Sequence, residues 1–235
     1  MKINQYSLQA RVYPSFIVLM PVLLLAIFYI TDFKIYLHYI TAVISVGLTS
    51  YLLSQLGRDR GKNKENMLFK LIGGKPTTKI LRHSNDILDD YTKERYYNAL
   101  RSKINNISIP TLEEETQTPS KADEIYNSCA KYLISKTRDT EKYNLLFKEN
   151  ISYGFRRNLW GMKSWGLAIL FVCFLIHLTI ATNFFSSFSF TPTKDAFLYA
   201  LFLFILIFWV FIVQPNWVKV VAIEYAKRLY ETLEE

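Results

Sequence analysis

Four long stretches of this chain carry no formal charge, and they constrain the fold more than any other feature. They are Val12–Thr31, Ile35–Gly57, Ser164–Thr193 and Ala196–Val218. An α-helix rises about 1.5 Å per residue, so roughly 20 residues cross the ~30 Å hydrocarbon core of a bilayer. Each stretch is long enough, which predicts an all-α integral membrane protein with four transmembrane helices. The first stretch is too long for a signal peptide, and we expect it to remain in the mature chain.

The distribution of positive charge predicts how these helices are oriented. Of the 28 lysines and arginines, 21 lie within residues 58–163, whereas the short loops inside each pair of spans are neutral overall. Lys and Arg near the ends of spans are retained in the cytoplasm. We therefore expect a basic, helical cytoplasmic domain at 58–163, between transmembrane hairpins at 1–57 and 164–218. An amphipathic helix at 219–235 follows in the same compartment, so both termini are cytoplasmic.

The cytoplasmic insert between spans 2 and 3 divides into four parts. The sequence predicts an irregular basic segment over 58–85, a helix over 86–106 and a polar loop over 107–120. A second helix begins at Lys121 and is expected to continue toward the third span. The irregular segment is predicted from its helix breakers, which are Gly57, Gly61, Gly73, Gly74 and Pro76.

Six basic residues that follow the second span are candidate phosphate ligands, namely Arg58, Arg60, Lys62, Lys64, Lys75 and Arg82. Glycines nearby let backbone N–H groups approach a phosphate, and arginine contacts it through two donors. The alternative is attraction to anionic lipid head groups, worth ~1 kcal/mol per basic residue near the surface. Composition alone favours this lipid interpretation. A P-loop is excluded, because Phe69 occupies the position of its first glycine and Pro76 follows Lys75.

The sequence contains no recognisable catalytic or metal-binding motif. Its three histidines, His38, His83 and His177, are scattered, and Cys129 and Cys173 lie in different segments without metal-ligand spacing. We therefore expect no enzyme activity, no cofactor and no metal. The spans also lack formal charges, which argues against an ion-coupled transporter with a buried carboxylate.

A stripe of hydroxyl groups distinguishes the second span from the others. Thr41, Ser45 and Thr49 are four residues apart, so they lie on one face of a helix. Small hydroxyl residues commonly pack transmembrane helices together. They are also what an uncharged, water-lined pore requires. The stripe is therefore a candidate pore lining, with helix packing as the alternative.

The arrangement of two spans, a basic insert and two more spans resembles membrane effectors of bacterial anti-phage systems. The stretch LGRDRGKNKE at Leu56–Glu65, followed by IGGKPTTKILR at Ile72–Arg82, is similar to the channel subunits of the Hailong defence system. The SMODS-associated four-helix transmembrane effectors match in layout only. The resemblance implies a homo-oligomeric ion channel in the bacterial inner membrane. It also implies a cytoplasmic ligand, single-stranded oligodeoxyadenylate, made by a nucleotidyltransferase encoded nearby.

The resemblance favours phosphate binding by the six basic residues over the lipid interpretation. It implies that loss of the ligand opens the pore, depolarises the membrane and halts phage growth. Four helices of one chain, of which the last is almost purely apolar, cannot enclose an aqueous path, so conduction requires several copies in the lipid bilayer. Two alternatives remain open from the residues: a non-conducting anchor or receptor that recruits a soluble partner, and a small lipid-handling or transport protein.

Overall fold

The computed structural model describes residues 5–29, 36–182 and 192–234, and the side chains of 36–44 and 192–193 lie outside this description. The described residues form helices and no strand, which confirms the predicted all-α fold. The helices are α1 (Gln5–Tyr29), α2 (Tyr36–Ile72), α3 (Pro76–Lys79), α4 (Asp90–Lys103), α5 (Leu112–Gln117), α6 (Pro119–Lys136), α7 (Asn144–Gly161), α8 (Lys163–Ala181), α9 (Pro192–Ile207, followed by the π-helical Phe208–Ile212) and α10 (Pro215–Glu231).

Three described helices are long and apolar enough to cross a membrane: Gln5–Tyr29, Lys163–Ala181 and Lys194–Ile212. They coincide with the first, third and fourth predicted spans, so the chain has the character of a membrane protein. The second predicted span, Ile35–Gly57, corresponds to the first part of α2, where many side chains lie outside the description. The four-span arrangement therefore stays a prediction.

The chain divides into two compact units. Unit 1 comprises Met1–Glu65 and Gly154–Trp217, and unit 2 comprises Asn66–Tyr153 and Val218–Glu235. The division falls within α2, α7 and α10, so each of these helices contributes residues to both units.

Unit 1 contains the three apolar helices, with α1 and α9 both packed against α8. Many of its large apolar side chains point outward, including Phe171 on α8 and Phe204 and Phe211 on and after α9. Apolar surface of this extent is costly in water and is expected in a bilayer.

Unit 2 has a hydrophobic core of the kind that stabilises a domain in water, built largely from tyrosine and aliphatic side chains. Tyr97, Tyr126 and Tyr230 are fully buried there, together with residues of α4, α6 and α10. The hydroxyl of Tyr230 donates a 2.7 Å hydrogen bond to the carbonyl of Thr77, which satisfies its polar end. The amphipathic helix predicted near the C-terminus is present as α10, and its apolar face completes this core.

The prediction of an irregular segment at 58–85 is wrong as far as Ile72, because α2 continues through it as one helix of 37 residues. The chain turns only at Gly73 and Gly74, whose φ angles of 86° and 142° suit glycine. The helix predicted over 86–106 is present but shorter, at Asp90–Lys103.

The polar loop predicted at 107–120 contains the short helix α5, which the sequence Thr111-Leu-Glu-Glu114 signals. Thr111 Oγ1 accepts a hydrogen bond from the backbone N–H of Glu114, and Glu114 accepts one from Thr111 N–H, so the two form a capping box. The second predicted helix does not continue into the third span. It ends at Lys136, and the chain resumes helical structure only at Asn144.

The prediction that Asp195 lies in the loop between the third and fourth spans is wrong. Asp195, expected in a loop, lies in the first turn of α9 and is 5% exposed. The helix begins early because Pro192 suits a first helical position, and an acidic residue in the first turn interacts favourably with the helix dipole.

Candidate functional site: basic residues and hydroxyl stripe

The first four predicted phosphate ligands lie on α2, within unit 1. Gly57 and Gly61 do not interrupt this helix, because both are buried. Gly57 packs against Met162, the residue after α7, and Gly61 packs against α7 itself. A Cβ atom on Gly61 would stand 2.7 Å from Oδ1 of Asn158, and one on Gly161 would stand 2.5 Å from the backbone nitrogen of Gly61. The glycines therefore permit close backbone contact, which offsets the ~1 kcal/mol that glycine costs inside a helix.

Two of these cations are held by tryptophans. The guanidinium of Arg60 lies 4.8 Å from the ring of Trp165, and Nζ of Lys64 lies 4.9 Å from the ring of Trp160. Lys64 also donates a 2.8 Å hydrogen bond to the carbonyl of Trp160, near the C-terminus of α7. Burial, followed by the charges of Lys163 and Arg60, lowers the pKa of Lys64. Both side chains are therefore already in contact with residues of unit 1, whatever else they bind.

Arg58 and Lys62 are more available to a ligand. Nε of Arg58 is 3.1 Å from Oδ1 of Asp59, its neighbour in sequence, and both side chains are partly exposed. An exposed pair of this kind contributes little to stability. Lys62 is exposed and makes no polar contact within the described residues. Among the four predicted ligands on α2, Lys62 is the one whose charge is least engaged.

The last two predicted ligands, Lys75 and Arg82, belong to unit 2 and flank the short helix α3. Nζ of Lys75 donates a 3.2 Å hydrogen bond to Oδ1 of Asn127. Arg82 binds the carboxylate of Asp123 through two nitrogens, with Nε at 2.7 Å from Oδ1. This hydrogen bonding raises the pKa of Arg82. A phosphate at Arg82 would have to compete with a bidentate carboxylate.

A shallow cavity of about 240 Å³ lies beside Lys75 in unit 2. Its lining residues are Lys75, Thr78, Asp123, Glu124 and Asn127. Oγ1 of Thr78 is buried and has no hydrogen-bond partner within the described residues. The carboxylates beside Lys75 make the cavity a poor site for a bare anion. They suit a ligand that also carries hydrogen-bond donors.

Sequence reasoning missed a buried carboxylate that fixes the chain directly after Arg82. Glu115 accepts hydrogen bonds from the backbone N–H of His83 at 2.9 Å and from the hydroxyl of Tyr126 at 2.8 Å. Ser84 donates to it as well. Burial raises the pKa of Glu115, but these hydrogen bonds outweigh burial and lower the pKa overall. The carboxylate thereby holds the 82–84 segment against α6.

The described part of the hydroxyl stripe lies on the exposed face of α2. Ser45 and Thr49 are exposed, whereas Ser50 and Ser54 are buried in unit 1, and the side chain of Thr41 lies outside the described residues. Oγ1 of Thr49 donates a 2.7 Å hydrogen bond to the carbonyl of Ser45. The helix therefore has two polar faces, of which one packs inside the unit and the other is open.

Comparison of the chain with known protein families, curated proteins and solved structures gives no match. The six predicted ligands are divided between the two units, four on α2 and two beside α3. The described residues contain no group of three or more His, Cys, Asp or Glu side chains that could hold a metal ion.

Proposed function

We propose that this chain is a subunit of a homo-oligomeric ion channel in the bacterial inner membrane. The channel would act as an effector of anti-phage defence, gated by a nucleotide or a single-stranded oligonucleotide, and would depolarise the membrane when open. The observation that carries the proposal is the exposed position of Ser45 and Thr49 on a helix whose opposite face is buried in unit 1.

The apolar helices and the placement of charge support a membrane arrangement. Three helices suit a bilayer by length and hydropathy, and the uncharged first part of α2 supplies the fourth span. The basic insert and both termini then lie in the cytoplasm, in keeping with the excess of Lys and Arg in residues 58–163.

The exposed hydroxyl stripe supports conduction. A hydroxyl on the outer surface of an apolar bundle gains most when it faces water or another protein subunit. Several copies arranged with this face of α2 toward a common axis would surround a path lined by Ser45 and Thr49. The intrahelical hydrogen bond of Thr49 leaves that hydroxyl able to interact with water as well, because its oxygen retains lone pairs.

Gating by a ligand is supported by α2, because this one helix carries both the hydroxyl stripe and four of the candidate phosphate ligands. Thr49 and Arg58 are nine residues apart on this helix, which corresponds to about 14 Å. A phosphate chain that engages Arg58 and Lys62 would bias the rotation or tilt of the same helix that carries the stripe. Ligand binding and ion conduction are then coupled within α2 itself. No motion has to be transmitted through the rest of the insert.

The alternative is a non-conducting anchor or receptor whose insert recruits a soluble partner. An anchor has no need of a polar stripe on its lipid-facing surface, and in that case Ser45 and Thr49 would only pack against a second copy. The two functions therefore differ in how the protein responds to changes at Ser45.

The test is ion flux from liposomes that contain the full chain, with oligomer size measured in detergent. Ser45→Leu should abolish most of the flux and preserve assembly, because a ring of leucines dewets the path. Ser45→Asp should raise flux and make it cation-selective. Ser54→Ala is the matched control on the buried face and should conduct like the parent.

Two results would contradict the proposal. If both Ser45 variants remain assembled and leak like the parent, the stripe does not line a pore. If both variants lose their oligomers, the stripe is a packing seam, as expected of an anchor.

A further inference from the structure

A groove runs between α8 and α9 on the surface of unit 1. Its cavity of about 310 Å³ is lined by four residues of α8, between Leu167 and Phe174, and by four of α9, between Tyr199 and Leu206. All eight are aliphatic or aromatic, and Phe171 on α8 is more than half exposed. The groove therefore opens onto the apolar surface that unit 1 presents to lipid.

Lys163 lies at one end of this groove. On α8 it precedes Leu167 by four residues and Leu170 by seven, so the three side chains share one face of the helix. Its Nζ donates hydrogen bonds of 3.4 and 3.0 Å to the carbonyls of Val210 and Val213, which follow the groove residues of α9 along the chain. The ammonium group of Lys163 thus bridges the two helices that form the groove.

Two cations of α2 lie at the same end of the groove. Gly161, two residues before Lys163, packs so closely on α2 that a Cβ atom on it would stand 3.0 Å from the carbonyl carbon of Arg60. The guanidinium of Arg60 lies 4.8 Å from the ring of Trp165, two residues after Lys163. Burial, and then the charges of Lys163 and Arg60, lower the pKa of Lys64, so the three cations act on one another.

The positive charge of this cluster is not neutralised by the protein. None of its three cations forms an ion pair within 4.0 Å in the part of the chain that the structure describes. The neighbouring carboxylates are engaged by other arginines. Asp59 lies 3.1 Å from Arg58, and Glu65 lies 2.6 Å from Arg157. Like charges held together repel, and a phosphate placed among them relieves that repulsion.

The length of the groove matches one leaflet of a bilayer. Lys163 and Phe174 are 11 residues apart on α8, which corresponds to about 16 Å along the helix axis. This is roughly half of the ~30 Å hydrocarbon core. Tryptophan is typical of the boundary between hydrocarbon and head groups, and Trp165 lies at the cationic end. A ligand that fits both features carries a hydrocarbon chain with a negatively charged group at its end.

We propose that unit 1 binds one anionic phospholipid, with an acyl chain in the groove between α8 and α9 and the head-group phosphate among Arg60, Lys64 and Lys163. Basic pockets between membrane helices bind such head groups. Arg58 and Lys62 then remain for the nucleotide, so the two ligands use different cations of α2. The lipid site does not depend on ion conduction, because it requires only the packed helices of unit 1 in a membrane.

Native mass spectrometry of the full chain in detergent tests the head-group part of the site. The chain is incubated with equal amounts of phosphatidylglycerol and phosphatidylcholine that carry the same acyl chains. The wild type should retain phosphatidylglycerol in preference to phosphatidylcholine by about tenfold or more. Arg60→Gln should reduce this preference about fivefold, because one basic residue near a head group contributes attraction of that size. Lys70→Gln removes the same charge from an exposed position of α2 and should follow the wild type.

Leu203→Trp places a larger side chain in the groove and tests the acyl-chain part of the site. It should lower the retention of both phospholipids and leave the preference between them unchanged, because the cations are intact. Phe204→Trp enlarges the neighbouring exposed residue, which does not line the groove, and should retain both lipids like the wild type. Glycerol 3-phosphate, which has the phosphate but no acyl chain, should not displace phosphatidylglycerol even in large excess.

Three results would overturn the proposal. Equal retention of the two phospholipids, or equal effects of Arg60→Gln and Lys70→Gln, would leave only general attraction to a charged surface. Unchanged retention by Leu203→Trp would remove the acyl chain from the groove. Displacement of phosphatidylglycerol by a single-stranded oligodeoxyadenylate would assign the three cations to the nucleotide instead. Ion flux is not measured in any of these experiments, so the channel proposal stands or falls separately.

Discussion

The two units of this protein differ in which side chains they bury and which they expose. Unit 1 exposes large apolar side chains such as Phe204 and Phe211 and buries polar ones, including Asn158, His177 and Asp195. Unit 2 buries tyrosines and aliphatic residues and exposes most of its charges. Apolar burial stabilises a unit surrounded by water. It provides little between helices surrounded by lipid, where close packing and internal hydrogen bonds have to substitute for it.

Glycine shows this difference most clearly. In unit 1, Gly61, Gly161 and Gly166 all lie where an added Cβ would collide with a neighbouring helix or side chain. In unit 2, Gly73 and Gly74 serve the backbone turn after α2 and lie at positive φ. The same residue type therefore brings helices together in one unit and reverses the chain in the other.

The largest effect is expected for Gly161→Ala in unit 1. Its new Cβ would stand 2.5 Å from the nitrogen and 2.8 Å from the Cα of Gly61, and these backbone atoms cannot move aside without separating the helices. Overpacking of this kind costs about 1–3 kcal/mol or more, so the unfolding midpoint should fall sharply. Gly47→Ala is the control on α2, where no atom lies within 4 Å of the new Cβ, and it should stabilise by about 0.5–1 kcal/mol. Equal midpoints for the two variants would show that the close helix contact is not required.

An intermediate effect is expected for Glu115→Gln in unit 2, which leaves the N–H groups of His83 and Ser84 without a carboxylate. The loss should be about 1–3 kcal/mol at neutral pH. Because the folded pKa of Glu115 is lowered, its stabilisation is present above the unfolded value, about pH 4.3, and is lost as pH falls through the folded value. The difference between wild type and variant should therefore shrink under acid conditions. Glu113→Gln, at an exposed position of the same helix, should change neither midpoint nor pH dependence.

The smallest effect concerns ligand binding and separates two lysines on one helix. Binding of a single-stranded deoxyadenylate oligomer to the full chain should weaken as salt is added. The logarithm of the binding constant should fall against the logarithm of the salt concentration with a slope of about −0.7 per phosphate contact. Lys62→Gln should flatten that slope by about one contact and leave the unfolding midpoint unchanged. Lys64→Gln should lower the midpoint, since it removes the hydrogen bond to the carbonyl of Trp160. A wild-type protein that fails to bind the oligomer at low salt would eliminate the nucleotide part of the proposed function.

Local sequence patterns predicted the helical segments well where the pattern itself is the cause of the structure. Three of the four uncharged stretches correspond to long apolar helices, and the amphipathic C-terminal stretch is α10. The prediction from helix breakers held at Gly73 and Gly74, where α2 ends. It failed at Gly57 and Gly61, because their cost inside α2 is offset by packing against residues about 100 positions away. The candidate site was affected in the same way: the partners of Arg60 and Lys64 are tryptophans that no local pattern connects with them.

The sequence by itself determined that this chain is helical, that several of its helices suit a bilayer and that its positive charge is concentrated in one insert. These properties depend on residues that are neighbours in the chain, namely runs of apolar side chains and the charges at their ends. Only the tertiary structure decided which basic residues are already engaged, which face of α2 is open and that Asp195 lies beside His177. Those features depend on side chains that meet only after folding, and burial then changes the energy of a charge or a glycine by more than any local preference does.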